Sequence, residues 1–409
     1  MDVSFIAICA TIVLTFIVIL YRTRHHADHE SYLLANRNVG IFALSATLIM
    51  TELNPATLVA FSGMGYIAGW WALTLPMVFL IGLLFYSLTV AKKWKSFNGL
   101  CVTEFLASRY GPGMGHISRI ALFLAMAGFS ATYVKSLALI LSPLSTLSLP
   151  LLAAGITSLS FLLVYRGGLL AIIKMDVISL LFVSFIFMTV LLISWQHSGF
   201  DNLSAWISAY PIETSKALLP PQFILSLIVL TMFTYILAPW YGQKMFSAKD
   251  TKTAYISAAI AAIFVFAFYG MALIATSFLN GKVTLDNPEF GFAYILYHWL
   301  PLPLKAISLF TFFLIGATTL AGVWNAMTAL LVSMQGTQKK SLKKPKAYMA
   351  LSAGLSFLLA MTLVDNILNK LILANIPIAA LSFSLIAGFY WNRATTIGAY
   401  LSFIVGITW

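Results

Sequence analysis

The sequence predicts an all-α polytopic membrane protein of about twelve transmembrane helices, two of them broken near their middles. Three observations carry that expectation. Of the 409 residues, 61% are hydrophobic and 9% charged, where soluble domains average about 25% charged. The apolar residues fall into runs near the length of about 20 that a spanning helix needs. The cations between those runs alternate from loop to loop, heavy then light, as the positive-inside rule requires. Almost nothing is left for a soluble domain. The net charge of +12 is therefore read as cytoplasmic loop charge rather than as a nucleic-acid surface.

The first run covers 3–21 and sets a leading segment at 1–21. It has no basic start and no small-residue cleavage site, and its charges follow the apolar stretch. It reads as a retained helix with its N-terminus outside, not as a signal peptide. Five runs follow at 40–67, 70–91, 116–142, 149–165 and 168–195. Five more lie at 221–246, 254–279, 302–335, 347–367 and 370–391, and a short one at 395–409 trails. In this topology the inner loops hold most of the Lys and Arg, among them Lys92, Lys93, Lys95, Lys244, Lys249 and Lys252. The outer loops carry only Lys216, Lys282, Lys305 and Lys370. A missed or extra span would scramble that asymmetry. Residues 196–219 read as an outer loop with an interfacial helix, and 280–300 as a second outer stretch. Cys9 and Cys101 suggest no disulfide, and no Cys/His cluster has metal spacing.

The two sets of five spans, 40–195 and 220–391, form a repeat. An odd number of spans per copy requires the second copy to be inverted. The first span of each copy is interrupted by proline, at Pro55 and at Pro239. Proline cannot donate to the carbonyl four residues back, which frees the carbonyls of Thr51 and Tyr235. Paired broken spans in an inverted repeat point to a transporter with its site near the midplane. Glu52 sits at the first break, and a carboxylate at membrane depth marks a candidate site. The plainer alternative is a proline kink beside a protonated, buried acid.

Other polar residues fall inside spans. Asp176 lies about eight residues into its helix, roughly 12 Å deep. Lys174 is nearer the surface and can snorkel. Lys135, near the middle of 116–142, should face the bundle interior. It either pairs with Glu52 or Asp176 or contacts an anionic solute. Thr318 and Thr319 sit mid-helix, where hydroxyls often bond their own helix carbonyls. Trp240 and Tyr241, at the second break, form either a stacking platform or interhelical packing. The histidines fall in loops or at span ends, so no buried His/acid pair supports an enzyme.

Five stretches, in order, resemble motifs of the sodium:solute symporter family. SYLLANRNVG (31–40) resembles the approach to the family's first core helix. FSGMGYIAG (61–69) resembles its glycine-rich stretch. VTEFLASRYG (102–111) is similar to the inner-loop pattern T-x-x-E-F-L-x-x-R-Y-G. GGLLAIIKMDVI (167–178) resembles G-G-x-x-A-V-x-x-T-D. QKMFSAKDTKTA (243–254) is similar to Q-R-x-x-A-A-K-D-x-K-x-A, with Lys244 in place of the usual Arg. The resemblance implies a leucine-transporter-type fold of five-plus-five inverted repeats. It also implies a sodium site built from the carbonyls of Met50 and Leu53 and the hydroxyls of Thr318 and Thr319. Asp176 would be an acid near that site's inner exit, and Glu52 an acid at the break. Oxygen ligands suit sodium, a hard cation.

The expected function is secondary active transport. A small organic solute would cross the plasma (inner) membrane with sodium by alternating access. The solute would sit near Asn54, Lys135, Trp240 and Tyr241, and Lys135 favours an amino acid or organic acid. The expected partners are the solute and the lipid bilayer, without nucleic acid. Two alternatives stay open. One is proton-coupled or sodium-independent transport, with Glu52 carrying a proton or Lys135 or Lys174 replacing the ion. The other is a non-transporting sensor partnered with a kinase.

Overall fold

The structure, a computed structural model, describes residues 29–97, 99–142, 147–165, 167–334 and 342–408. The expected leading helix, with Cys9, lies outside the described residues. The secondary structure among the described residues is helical, apart from a single backbone bridge between Val39 and Ala248.

A short helix α1 (His29–Leu34) leads into the first broken span, α2 (Ile41–Glu52) and α3 (Pro55–Ala68). Then come α4 (Thr74–Thr89), α5 (Ala91–Phe97), α6 (Val102–Tyr110), α7 (Pro112–Leu141), α8 (Leu149–Tyr165) and α9 (Gly168–Ser198). Two short helices follow, α10 (Leu203–Ser208) and α11 (Ile212–Leu218). The second broken span is α12 (Pro221–Leu237) and α13 (Pro239–Ser247). The rest are α14 (Thr251–Ser277), α15 (Gly291–His298), α16 (Leu302–Ser333), α17 (Lys343–Thr362), α18 (Ile367–Tyr390) and α19 (Thr396–Thr408). The span ends agree with the apolar runs to within about five residues. The architecture is the expected all-α, leucine-transporter type, with its two broken spans at α2–α3 and α12–α13.

The motifs turn out to build joints. Asn54 caps α3 by accepting from the Thr57 N–H at 2.8 Å, with Pro55 in the first turn, where a missing N–H is harmless. Gly65 lets α3 touch α14, since a Cβ there would stand 2.3 Å from Thr276 Oγ1 and 2.5 Å from the Leu273 carbonyl. Gly69 has φ +55°, a conformation that glycine adopts without strain. Glu104 accepts from the Leu100 N–H at 2.9 Å, and Arg109 reaches the Asn392 carbonyl at 3.2 Å. Asp250 caps α14 through the Thr253 N–H at 2.6 Å.

The ends of the two broken spans are stapled together by main chain. The Val39 N–H donates to the Ser247 carbonyl at 3.0 Å, and the Lys249 N–H to the Val39 carbonyl at 2.9 Å. At the opposite end, the segment around Glu289 lies against α3. There Ser62 Oγ donates to the Glu289 carbonyl at 3.1 Å, and Tyr66 Oη to that of Val283 at 2.9 Å. The helix expected at the interface includes α10, and its Trp206 is buried in protein. The indole N–H donates to Ser277 Oγ at 2.8 Å, because a buried indole needs an acceptor.

Candidate ion and solute site

The first break frees more than one carbonyl. The N–H that a continuous helix would offer to Met50 is that of Asn54, and it points to Tyr269 Oη at 3.2 Å. The one that Leu53 would receive is that of Thr57, which the Asn54 side chain takes. The Glu52 carbonyl recovers two donors, Tyr269 Oη at 2.6 Å and Asn54 Nδ2 at 3.0 Å. Met50 and Leu53 instead face Thr319 on α16. Its Oγ1 lies 3.1 Å from the Met50 carbonyl, 3.4 Å from that of Leu53 and 2.7 Å from that of Ile315. One hydroxyl carries one proton and cannot satisfy three carbonyls. A small cation among these oxygens would. Thr318, also buried, lies 3.5 Å from the Ile315 carbonyl and is within reach of the Asp176 carboxylate.

The second break is milder than the proline alone predicts. The Tyr235 carbonyl regains the Ala238 N–H at 3.3 Å, and the indole of Trp94 reaches the Ile236 carbonyl at 3.0 Å. The break instead positions phenols. Tyr235 Oη donates to Glu52 Oε1 at 2.5 Å and Tyr241 Oη to Oε2 at 2.6 Å. With a donor on each oxygen, this carboxyl is set up as an anion's acceptor pair.

Asp176 has a different partner. Its Oδ2 lies 3.8 Å from Lys244 Nζ and accepts from Thr47 Oγ1. Its Oδ1 is buried without a hydrogen-bond partner. The Lys244 amine also donates to the Thr47 carbonyl at 2.6 Å and to Thr51 Oγ1. Lys244 had been expected among inner-loop cations, but it is 1% exposed. The reason is that α13, the second half of a broken span, lies wholly inside the bundle.

A cavity of about 100 Å³ opens beside the breaks on the α3 and α12 side. Glu52, Asn54, Phe129, Tyr133, Tyr235 and Trp240 are among its walls. Trp240 meets Phe129 edge-on, with ring centroids 5.1 Å apart. Asn54 lines the cavity, but its side chain is spent on backbone groups. Tyr241 stands behind Glu52 rather than on the wall.

Lys135 is half-buried, does not line this cavity, and makes no ion pair among the described residues. Phe129 and Tyr133 share the cavity face of α7. Two residues beyond Tyr133, Lys135 is turned roughly 200° away. The same offset explains Lys174, which is exposed two residues before buried Asp176. Sequence reasoning did not single out Thr47 or Tyr269, and it named Tyr235 for its carbonyl rather than its phenol. For Lys244, the signal was its place in the Q-R-like motif.

Two broken helices with freed carbonyls, buried acids and a shared cavity define a secondary transporter of the leucine-transporter type. The model of the sodium:solute symporter family matches residues 32–406, and the chain belongs to that family. It is accordingly a transporter rather than an enzyme, with sodium as its coupling ion. Comparison with curated proteins gives no match. Among solved structures, a Na⁺-coupled sialic acid symporter in a substrate-bound outward-open state has TM-score 0.77 at 14% identity, covering 99% of this chain and 95% of that one. The Eremococcus coleocola manganese transporter, bound to an aromatic bis-isothiourea compound, has TM-score 0.56 at 12% identity, covering 90% and 85%. At such identities the likeness is one of fold.

Proposed function

We propose that this chain imports a small organic solute across the plasma membrane with sodium, by alternating access. The observation that carries the reading is Thr319 set against the carbonyls of Met50 and Leu53. Sodium is bound there by those two carbonyls and by the hydroxyls of Thr318 and Thr319. The ion ties α16 to the broken span, and the same span walls the solute cavity. Ordering by one ligand therefore lowers the cost of binding the other, which is thermodynamic coupling. The Lys and Arg distribution supports placing the stapled end, with α13, in the cytoplasm and the N-terminus outside. The cavity then faces outward.

The solute was expected to be an amino acid or organic acid. Lys135, off the cavity wall, gives geometric support to neither. An amino acid gains a different support through its amine, since a carboxylate and several hydroxyls wall the cavity. An amine in place of sodium has one observation in its favour, buried Lys244. However, the recorded bonds of that amine reach Thr47, Thr51 and Asp176 and not the four proposed sodium ligands. The test is solute uptake into proteoliposomes with sodium replaced by potassium. Uptake should collapse, and Thr318→Ala or Thr319→Ala should raise the sodium requirement. Unchanged uptake in potassium would overturn the reading.

A further inference from the structure

Glu52 lacks what Asp176 has. Among the described residues no lysine, arginine or histidine lies within ion-pair distance of its carboxylate. Nor does any basic side chain line the cavity on which it sits. The wall around it is aromatic. Phe61, Phe79, Phe129, Tyr133 and Trp240 line the same space. Phe61 and Phe79 meet at 5.5 Å and tilt against each other, and Phe129 and Trp240 meet edge to face. Ring faces attract a cation, and recognition of ammonium groups by several rings is a recurrent use of that attraction. A buried carboxylate supplies the opposite charge and is itself costly while unpaired.

We infer that the solute carries a positive charge, as a small amine or quaternary ammonium group seated against Glu52 inside this aromatic wall. The two phenols hold the carboxylate in place, Tyr235 on Oε1 and Tyr241 on Oε2. They leave its remaining lone pairs for the ligand. Each oxygen of a carboxylate can accept more than one hydrogen bond. Neutral sugars and plain carboxylates find no such complement. An organic anion would meet Glu52 with like charge, with no cation on the cavity wall and with Lys244, which acts on Glu52 from behind, already bonded to Thr47, Thr51 and Asp176.

This inference rests on the symport reading for its direction of travel but is tested separately. The purified full-length chain in detergent is titrated with tetramethylammonium, choline and a primary amine of similar size. The controls are 3,3-dimethylbutan-1-ol, the uncharged carbon analogue of choline, and lactate. Binding is read by thermal shift and by tryptophan fluorescence, with and without sodium. At least one cation should bind at millimolar concentration or below, and the neutral analogue and lactate should not. Glu52→Gln keeps the side-chain shape and should weaken the cation by about 100-fold. Trp240→Leu should weaken it by about tenfold, leaving any weak binding of the neutral analogue unchanged. The inference is overturned if no cation binds, if the neutral analogue or lactate binds as well as the cations, or if Glu52→Gln binds them undiminished. Sodium effects report on the other reading. Cation binding that sodium does not enhance breaks the coupling but leaves the solute class standing. Stabilisation by sodium without a preference for cations does the reverse.

Discussion

Glu52 and Asp176 are both buried acids, and both stand against the first broken span, yet they are solved differently. Asp176 has a resident counter-charge, the Lys244 amine, brought across from the second broken span. Glu52 has phenols and an aromatic cavity instead. Phenols orient a carboxylate without neutralising it. One acid is therefore internally balanced and belongs to the closed end of the bundle. The other is left with charge to spare, on the wall of the space a solute enters. A resident pair fastens α13 to α9, and on our inference the acid without such a partner is where cargo sits.

The sharpest way to break this contrast is Lys244→Met. It strands Asp176 without its cation, and losing one partner of a buried pair costs about 3–5 kcal/mol. A large fall in melting temperature is expected. Adding Asp176→Asn should recover much of the loss, and additive losses would show that the two are not coupled. Tyr241→Phe acts on the other acid. It removes one of two hydrogen bonds to a charged group, about 1.5–3 kcal/mol, with a smaller fall in melting temperature. A loss as large as that from Lys244→Met would make Glu52 the structural acid and reverse the comparison. Thr319→Val, which keeps shape and removes the hydroxyl, should raise half-saturating sodium about fivefold in uptake assays, equivalent to about 1 kcal/mol. Its effect on solute affinity at saturating sodium should be negligible. Lys135→Met should change stability by no more than about 0.5 kcal/mol and leave solute affinity intact. A strong loss of affinity would return Lys135 to the site.

What was legible in the sequence followed from length and hydropathy. Among the described residues each apolar run became a helix or a broken pair of helices, because lipid leaves the backbone no other solution. The two breaks were legible because proline punctuates a helix wherever it falls. That Lys135 and Asp176 fall within long helices was legible too, but the direction each faces was not. Direction depends on how a helix is rotated against its neighbours, and an all-round apolar span carries little record of that. Lys244 was misplaced for a related reason. Loop-charge counting treats every cation near a span end as solvated, whereas α13 ends inside the protein. The phenols of Tyr235 and Tyr269 gave no signal, since one tyrosine in an apolar run looks like another. Their role exists only where three helices meet at Glu52 and its carbonyl.

The staple between Val39 and residues 247–249 has one more consequence. Its bonds run from main chain to main chain, so exchanging side chains there alters the grip little. The Lys244 contacts beside it can be changed by a single substitution. Holding this end of the bundle shut thus has an invariant part and an adjustable part, lying side by side. Variants of the lysine should reset how often the end opens without erasing the shut position itself. Removal of a main-chain donor is what weakens the catch, and Lys249→Pro would take away one of its two bonds.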